Sequence, residues 1–323
     1  MQRSSSGNSA YKGYYLLLFT GLVFGTLEVV SKLMPHIGPL QMSFLRFSIG
    51  GLVILPFGLL DLKKRKTPVG LLDALYVLVL GILLIPMSMT LLQVSVTKVP
   101  ASLVALIFSA NPMIIAALAS LILKERMGLV EAAFVALGMI GIVLIIRPFG
   151  KGFDAGILYP LASVTLFGLY IVLARKLSKK LGSLFVTSAA ILAGSTVLGL
   201  YASATGVELL ASLTWKDAGY LVYLGVVVSG LAYVTYFKGM DLTTTNTGSA
   251  VFFIKSLVAA VLSAFVLDEV LSPTVYLGGV FIASGIFVMM AGNSIMAGKY
   301  GAARRQPRDA SDAQAMAAES ETV

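Results

Sequence analysis

The 323-residue sequence contains no cysteine, one histidine, one tryptophan and few charges. Without cysteine there is no disulfide and no thiolate metal site, and the redox compartment leaves no mark. The lone histidine, His36, sits in a short Pro/Gly loop and offers no ligand cluster; we expect an interfacial loop residue, no metal and no cofactor. Charged residues make up 12% of the chain against 58% hydrophobic, too little charge to cover a soluble domain of this length. Phosphate loops, zinc spacings and nucleophile–base sets are also missing, so we do not expect an enzyme.

What the sequence has instead is apolar runs of about 20 residues, enough to cross a bilayer as helices. Ten candidate spans follow one another at 14–34, 40–60, 72–93, 101–123, 128–146, 155–175, 184–204, 217–237, 246–267 and 273–292. The expected fold is therefore an all-α polytopic membrane protein. The first run has no small-residue cleavage site after it and reads as a retained helix. Residues 1–13 form a short polar segment, and the composition of 293–323 reads as a disordered tail.

The net charge of +9 does not point to nucleic acid, because the basic residues gather in short loops, as orientation signals do. LKKRKTP (62–68) and LSKKLG (177–182) read as basic turns, and Lys299, Arg304, Arg305 and Arg308 add to the same side. The other side carries only Lys98, Arg147, Lys151 and Lys216. We expect both termini in the cytoplasm of a cell that keeps this chain in its cytoplasmic membrane.

The two halves resemble each other. LLDALYVLVLG (71–81) reads against WKDAGYLVYLG (215–225), which matches Asp73 to Asp217, Tyr76 to Tyr220 and Gly81 to Gly225. The same shift matches Glu125 to Glu269 and Gly141 to Gly285, and a shift one residue shorter matches Phe24-Gly25 to Phe167-Gly168 and Lys32 to Arg175. Each half, 14–146 and 155–292, holds five spans around a linker at 147–154. An odd number of spans makes the second copy enter the membrane upside down. Two similar packings about an in-plane axis let a central site open to either side at similar energy, the architecture of secondary transporters.

Phe24-Gly25 followed by Lys32, the Pro39…FLRF element around Arg46, the ANP of 110–112 and the acidic ends at Glu125 and Glu269 resemble the drug/metabolite transporter superfamily, in its ten-helix EamA-type members. The resemblance implies two inverted five-helix repeats. It places helices three, four, eight and nine near a central cavity, with one, two, six and seven around it. It also implies export or exchange of small organic solutes, often proton-driven. The chain departs from many relatives where Asn111-Pro112 of the first repeat meets Lys255-Ser256 of the second.

Four ionisable groups fall well inside spans: Glu28, Lys32, Arg46 and Lys255. Each costs roughly 2.5–3.5 kcal/mol near the bilayer centre, so such groups face a partner or a cavity. Lys255, in SAVFFIKSLVAAVLSAF (249–265), lies about 14 Å from one end of its helix and about 18 Å from the other, too deep to snorkel. It either pairs with Glu28 or contacts an anionic solute, and the expectation here is the solute. Glu28 and Lys32 share a face at i, i+4 and pair with each other, or Glu28 couples protons. Together with Arg46 they are expected to form a gating cluster toward the outside. Asn111, Gln93, Tyr170, Tyr233 and Tyr236 are candidate cavity walls, aromatic with a few polar groups, unless they are ordinary packing. Glu125 and Glu269 sit at span junctions, where acids favour the dipole of the next helix, and Gly21 and Gly25 allow close helix contact.

The expected function is secondary active transport, by alternating access, of a small organic metabolite that is amino-acid-like or carries a carboxylate, with a proton as driver. The expected partners are that solute, the proton and the lipid bilayer, with the chain a monomer or homodimer. The rivals are a strict exchanger of phosphorylated or dicarboxylate metabolites and a non-transporting membrane scaffold or lipid-handling protein.

Overall fold

The computed structural model describes residues 3–124, 128–146, 154–211, 213–243 and 245–289. Glu125, the linker 147–153 and the tail 293–323 lie outside the described residues. Among the described residues there are helices and connecting turns and no strand, as lipid demands of a spanning chain whose backbone groups find no water to bond.

Among the described residues ten helices succeed one another: α1 Tyr11–Lys32, α2 Pro39–Arg65, α3 Leu71–Lys98, α4 Ala101–Leu123, α5 Leu129–Ile146, α6 Ala155–Leu181, α7 Ser183–Ala204, α8 Trp215–Leu242, α9 Thr245–Val266 and α10 Pro273–Met289. Seven of them are long and apolar enough to cross a membrane. The apolar stretches Leu129–Ile145, Val251–Val266 and Pro273–Met289 are shorter. The basic segments expected as turns are largely helix. Helix α2 runs on through Lys63, Lys64 and Arg65, and α6 through Lys179 and Lys180, because cations in a last turn are stabilised by the helix dipole.

The third helix of each half is not a regular α-helix. Residues Leu83–Met89 of α3 and Tyr223–Leu231 of α8 form π segments. In α3 the segment contains Pro86, which has no N–H and would clash with a carbonyl in regular α geometry. Helix α1 is also interrupted, by a turn at Gly25 and Thr26.

The two halves interlock. Helix α3 packs on α6 and α7, and α8 packs on α1 and α2. A Cβ on Gly81 would lie 2.5 Å from the Ala190 carbonyl oxygen of α7, and its partner there is Gly194. The equivalent contact joins α8 to α2, where a Cβ on Gly50 would lie 2.6 Å from Ser229. At the α3–α6 crossing, the Ser88 hydroxyl donates to the Ser163 carbonyl at 2.9 Å and the Ser163 hydroxyl returns a bond to the Ser88 carbonyl at 2.8 Å. Ile54, Leu80, Leu84, Ile85, Ile191 and Leu224 are fully or almost fully buried around these crossings. Helices α5 and α10 meet at the flank, where Gly141 faces Gly278.

Candidate functional site

A cavity of about 800 Å³ lies between the halves, within the range of small-molecule sites. It begins among Arg46, Asn111 and Lys255 in the interior and reaches Arg65, Lys179 and Ser183 at the end of the molecule that carries the basic segments. Residues of all ten helices border it. Helices α3, α4, α8 and α9 line it, and α1, α2, α6 and α7 border it as well.

Lys255 is 3% exposed, and its Nζ lies 2.6 Å from Oε1 of the fully buried Glu28. Neither carboxylate oxygen accepts a hydrogen bond in aligned geometry, so the contact is chiefly Coulombic. The ammonium also sits over the Phe108 ring, 4.6 Å from its centre. Each charge compensates the other in a place where either alone would be strongly unfavourable.

Arg46 is 1% exposed and lies on the cavity wall. Its guanidinium stacks 4.1 Å from the centre of the Phe47 ring. Its Nε and Nη1 have no hydrogen-bond partner, and among the described residues no ion pair reaches it. Asn111, also 1% exposed and on the wall, has neither its amide nitrogen nor its oxygen engaged. Rings complete the wall. Phe24 meets Tyr233 edge-on at 5.5 Å and Tyr236 at 6.5 Å, while Phe108, Phe167 and Tyr170 form a second row.

A polar latch lies at the end away from the basic segments. Lys32 Nζ donates to Glu269 Oε1 at 2.7 Å, and the same carboxylate accepts from the Ala101 and Ser102 backbone nitrogens at 2.8 and 3.2 Å and from the Ser102 hydroxyl at 2.9 Å. This latch joins α1, the start of α4 and the α9–α10 turn. Burial pushes the Glu269 carboxyl up, and the Lys32, Ala101 and Ser102 donors together outweigh it, holding the group below its ordinary value.

Two braces cross between the halves. Asp73 accepts from Gly70 N, capping α3, and pairs with Lys180 at 2.7 Å. Asp217 accepts from the Thr214 backbone and hydroxyl, capping α8, and pairs with His36 at 3.0 Å. Asp73 and Asp217 correspond between repeats, and so do Lys180 and His36.

Lys255, Asn111, Tyr170, Tyr233 and Tyr236 are brought together on the cavity wall, whereas Gln93 is buried away from it. Glu28, Lys32 and Arg46 do not form one outer cluster. Glu28 reaches α9, Lys32 reaches Glu269, and Arg46 lies in the interior. The reason is reach: α9 lies against α1 and offers Glu28 a buried cation, while Lys32, at the end of its helix, is left to the α9–α10 turn. Glu269 does cap a helix start, but that of α4 rather than the next helix in sequence. The sequence reading missed Phe47 and Phe108. Phe108 lies one turn before Asn111 and so shares its face, a signal that was available.

The EamA-like transporter family matches residues 11–147 and again residues 154–291. An uncharacterized transporter of Clostridium kluyveri is 29% identical over 292 residues, covering 87% of this chain and 94% of that protein. Protein PecM of Dickeya dadantii is 29% identical over 272 residues, covering 83% and 88%. A solved crystal structure aligns with a TM-score of 0.60 over 85% of this chain and 95% of its own, at 20% identity, a likeness of fold alone. With both halves matched over most of its length, the chain belongs to the EamA-like transporter family.

Proposed function

We propose that this protein is a secondary active transporter of the cytoplasmic membrane that exports or exchanges a small organic metabolite by alternating access. The observation that carries the reading is the cavity between interlocked halves, reached from one end and latched at the other by Lys32 and Glu269. The positive-inside rule assigns the basic end to the cytoplasm, so the conformation corresponds to the inward-facing state. Opening of the latch and closure around Arg65, Arg175 and Lys179 would give the outward-facing one.

Glu28 is the carboxylate suited to proton coupling. Protonation removes its attraction for Lys255, so proton binding and the arrangement of α1 against α9 are linked. Proteoliposomes with an imposed pH gradient test this. Solute efflux that follows the gradient in the parent and ignores it in a folded Glu28→Gln variant supports the reading. Counterflow indifferent to the gradient in the parent would favour strict exchange, and no solute movement under either regime would remove transport as the function.

A further inference from the structure

We propose that Arg46 is the anion receptor of the central cavity, and that the solute is a small organic monoanion, one carboxylate on an apolar or aromatic body. The proposal rests on the transporter reading for its meaning but on binding for its test.

The cavity contains two buried cations, and they are not equivalent. Lys255 is held 2.6 Å from Glu28 and so has its counter-charge. Arg46 has no ion pair among the described residues and feels Glu28 only from beyond ion-pair contact, although the residue is 1% exposed and its Nε and Nη1 are unengaged. A buried charge without partners is strongly unfavourable, and five N–H donors in a planar fork match a carboxylate in two-point geometry, which a lysine cannot provide. Among the described residues Arg46, Lys255 and Glu28 leave the interior one positive charge in excess, and the same wall carries an amide, Asn111, whose donor and acceptor are both unused. Around them the interior wall is largely apolar, with the rings of Phe24, Phe108 and Tyr233 beside Leu27, Met89 and Leu92. A cation without an ion pair among the described residues, set in a largely apolar interior wall, fits a single negative charge on an apolar body. A dianion or a phosphate ester would leave its second charge unmatched, or would have to take Lys255 from Glu28.

The test is a ligand series on the purified full-length protein, read by thermal shift and calorimetry. The series holds straight-chain and phenyl-substituted monocarboxylates, the corresponding neutral amides, and the corresponding dicarboxylates and phosphate esters. We expect stabilisation by monocarboxylates, and Kd values roughly 10- to 100-fold weaker for the amides. Arg46→Gln should lose the preference for acid over amide, and Arg46→Lys should weaken it. Acid and amide binding alike, tighter binding of the dianions, or no monocarboxylate binding at all would overturn the proposal. The acid–amide comparison uses the unmodified chain, so the test stands even if Arg46→Gln fails to fold. Monocarboxylate binding without movement in liposomes would instead defeat the transporter reading and leave the receptor intact. Transport of a neutral solute untouched by Arg46→Gln would do the reverse.

Discussion

Asp73 and Asp217 occupy equivalent positions in the two repeats and do the same two things. Each sits in the first turn of its helix, caps that helix's start and holds a basic residue from the other repeat, Lys180 or His36. The glycine crossings, Gly81 on α7 and Gly50 on α8, repeat in the same way. The cavity does not. Where the first repeat has Arg46 the second has Ala190, and where the first has Asn111 the second has Lys255. The frame is duplicated while the charge within it is not. Packing geometry can be shared by two halves that move against each other, whereas a solute has one shape and one charge distribution to be met.

The sharpest way to break the contrast is to remove one charge from the interior. Lys255→Met should destabilise the protein by about 3–5 kcal/mol, because it leaves Glu28 buried without a partner. Adding Glu28→Gln should recover most of that, and Asn111→Leu at the equivalent place in the first repeat should have a far smaller effect. Thermal unfolding in detergent, run as a double-mutant cycle, measures all three.

The latch comes next. Glu269→Gln should weaken closure by about 2 kcal/mol through lost charge-assisted bonds. The cysteine-free chain makes a cysteine at the buried Leu92 a clean reporter, and its maleimide labelling from the latch side should rise. Since Glu269 is held below its ordinary carboxyl value, its contribution is complete above the unfolded carboxyl range. It is lost as pH falls through the lowered folded value. Labelling should therefore rise in acid in the parent and lose that dependence in Glu269→Gln.

The two glycine crossings offer a smaller and unequal test. Gly81→Ala drives a methyl against a backbone carbonyl, whereas Gly225→Ala meets the side chain of Ile49. Overpacking by a methyl costs about 1–3 kcal/mol, with Gly81 at the upper end because backbone yields less than a side chain. Equal shifts in melting temperature would refute that ranking. The smallest effect belongs to the braces. His36→Ala removes one partner of Asp217 while the Thr214 cap remains, so its melting temperature should fall by less than that of Gly81→Ala.

Most of the frame was legible in the sequence, because helix length is fixed by bilayer thickness and the polar landmarks Asp73/Asp217 and Gly81/Gly225 hold one register. The π segments of α3 and α8 were not, since hydrophobic period barely distinguishes one extra residue per turn. The depth of Lys255 could be read from its distance to both helix ends. Its partner could not be fixed, because Glu28 offered Lys32 as an equally good neighbour along the helix. Arg46 was expected in a cluster toward the outside. The packing of α2 against α7 and α8 turns that position inward.

The interlock also bears on how the chain is made. Helix α3 leaves the ribosome well before α7, yet the surface that receives Gly81 is built by Ala190 and Gly194. Until α7 arrives, α3 must wait in lipid with its glycine face uncovered and Asp73 without Lys180. The first repeat, although complete as a sequence unit, cannot finish folding until the second helix of the other repeat has been made.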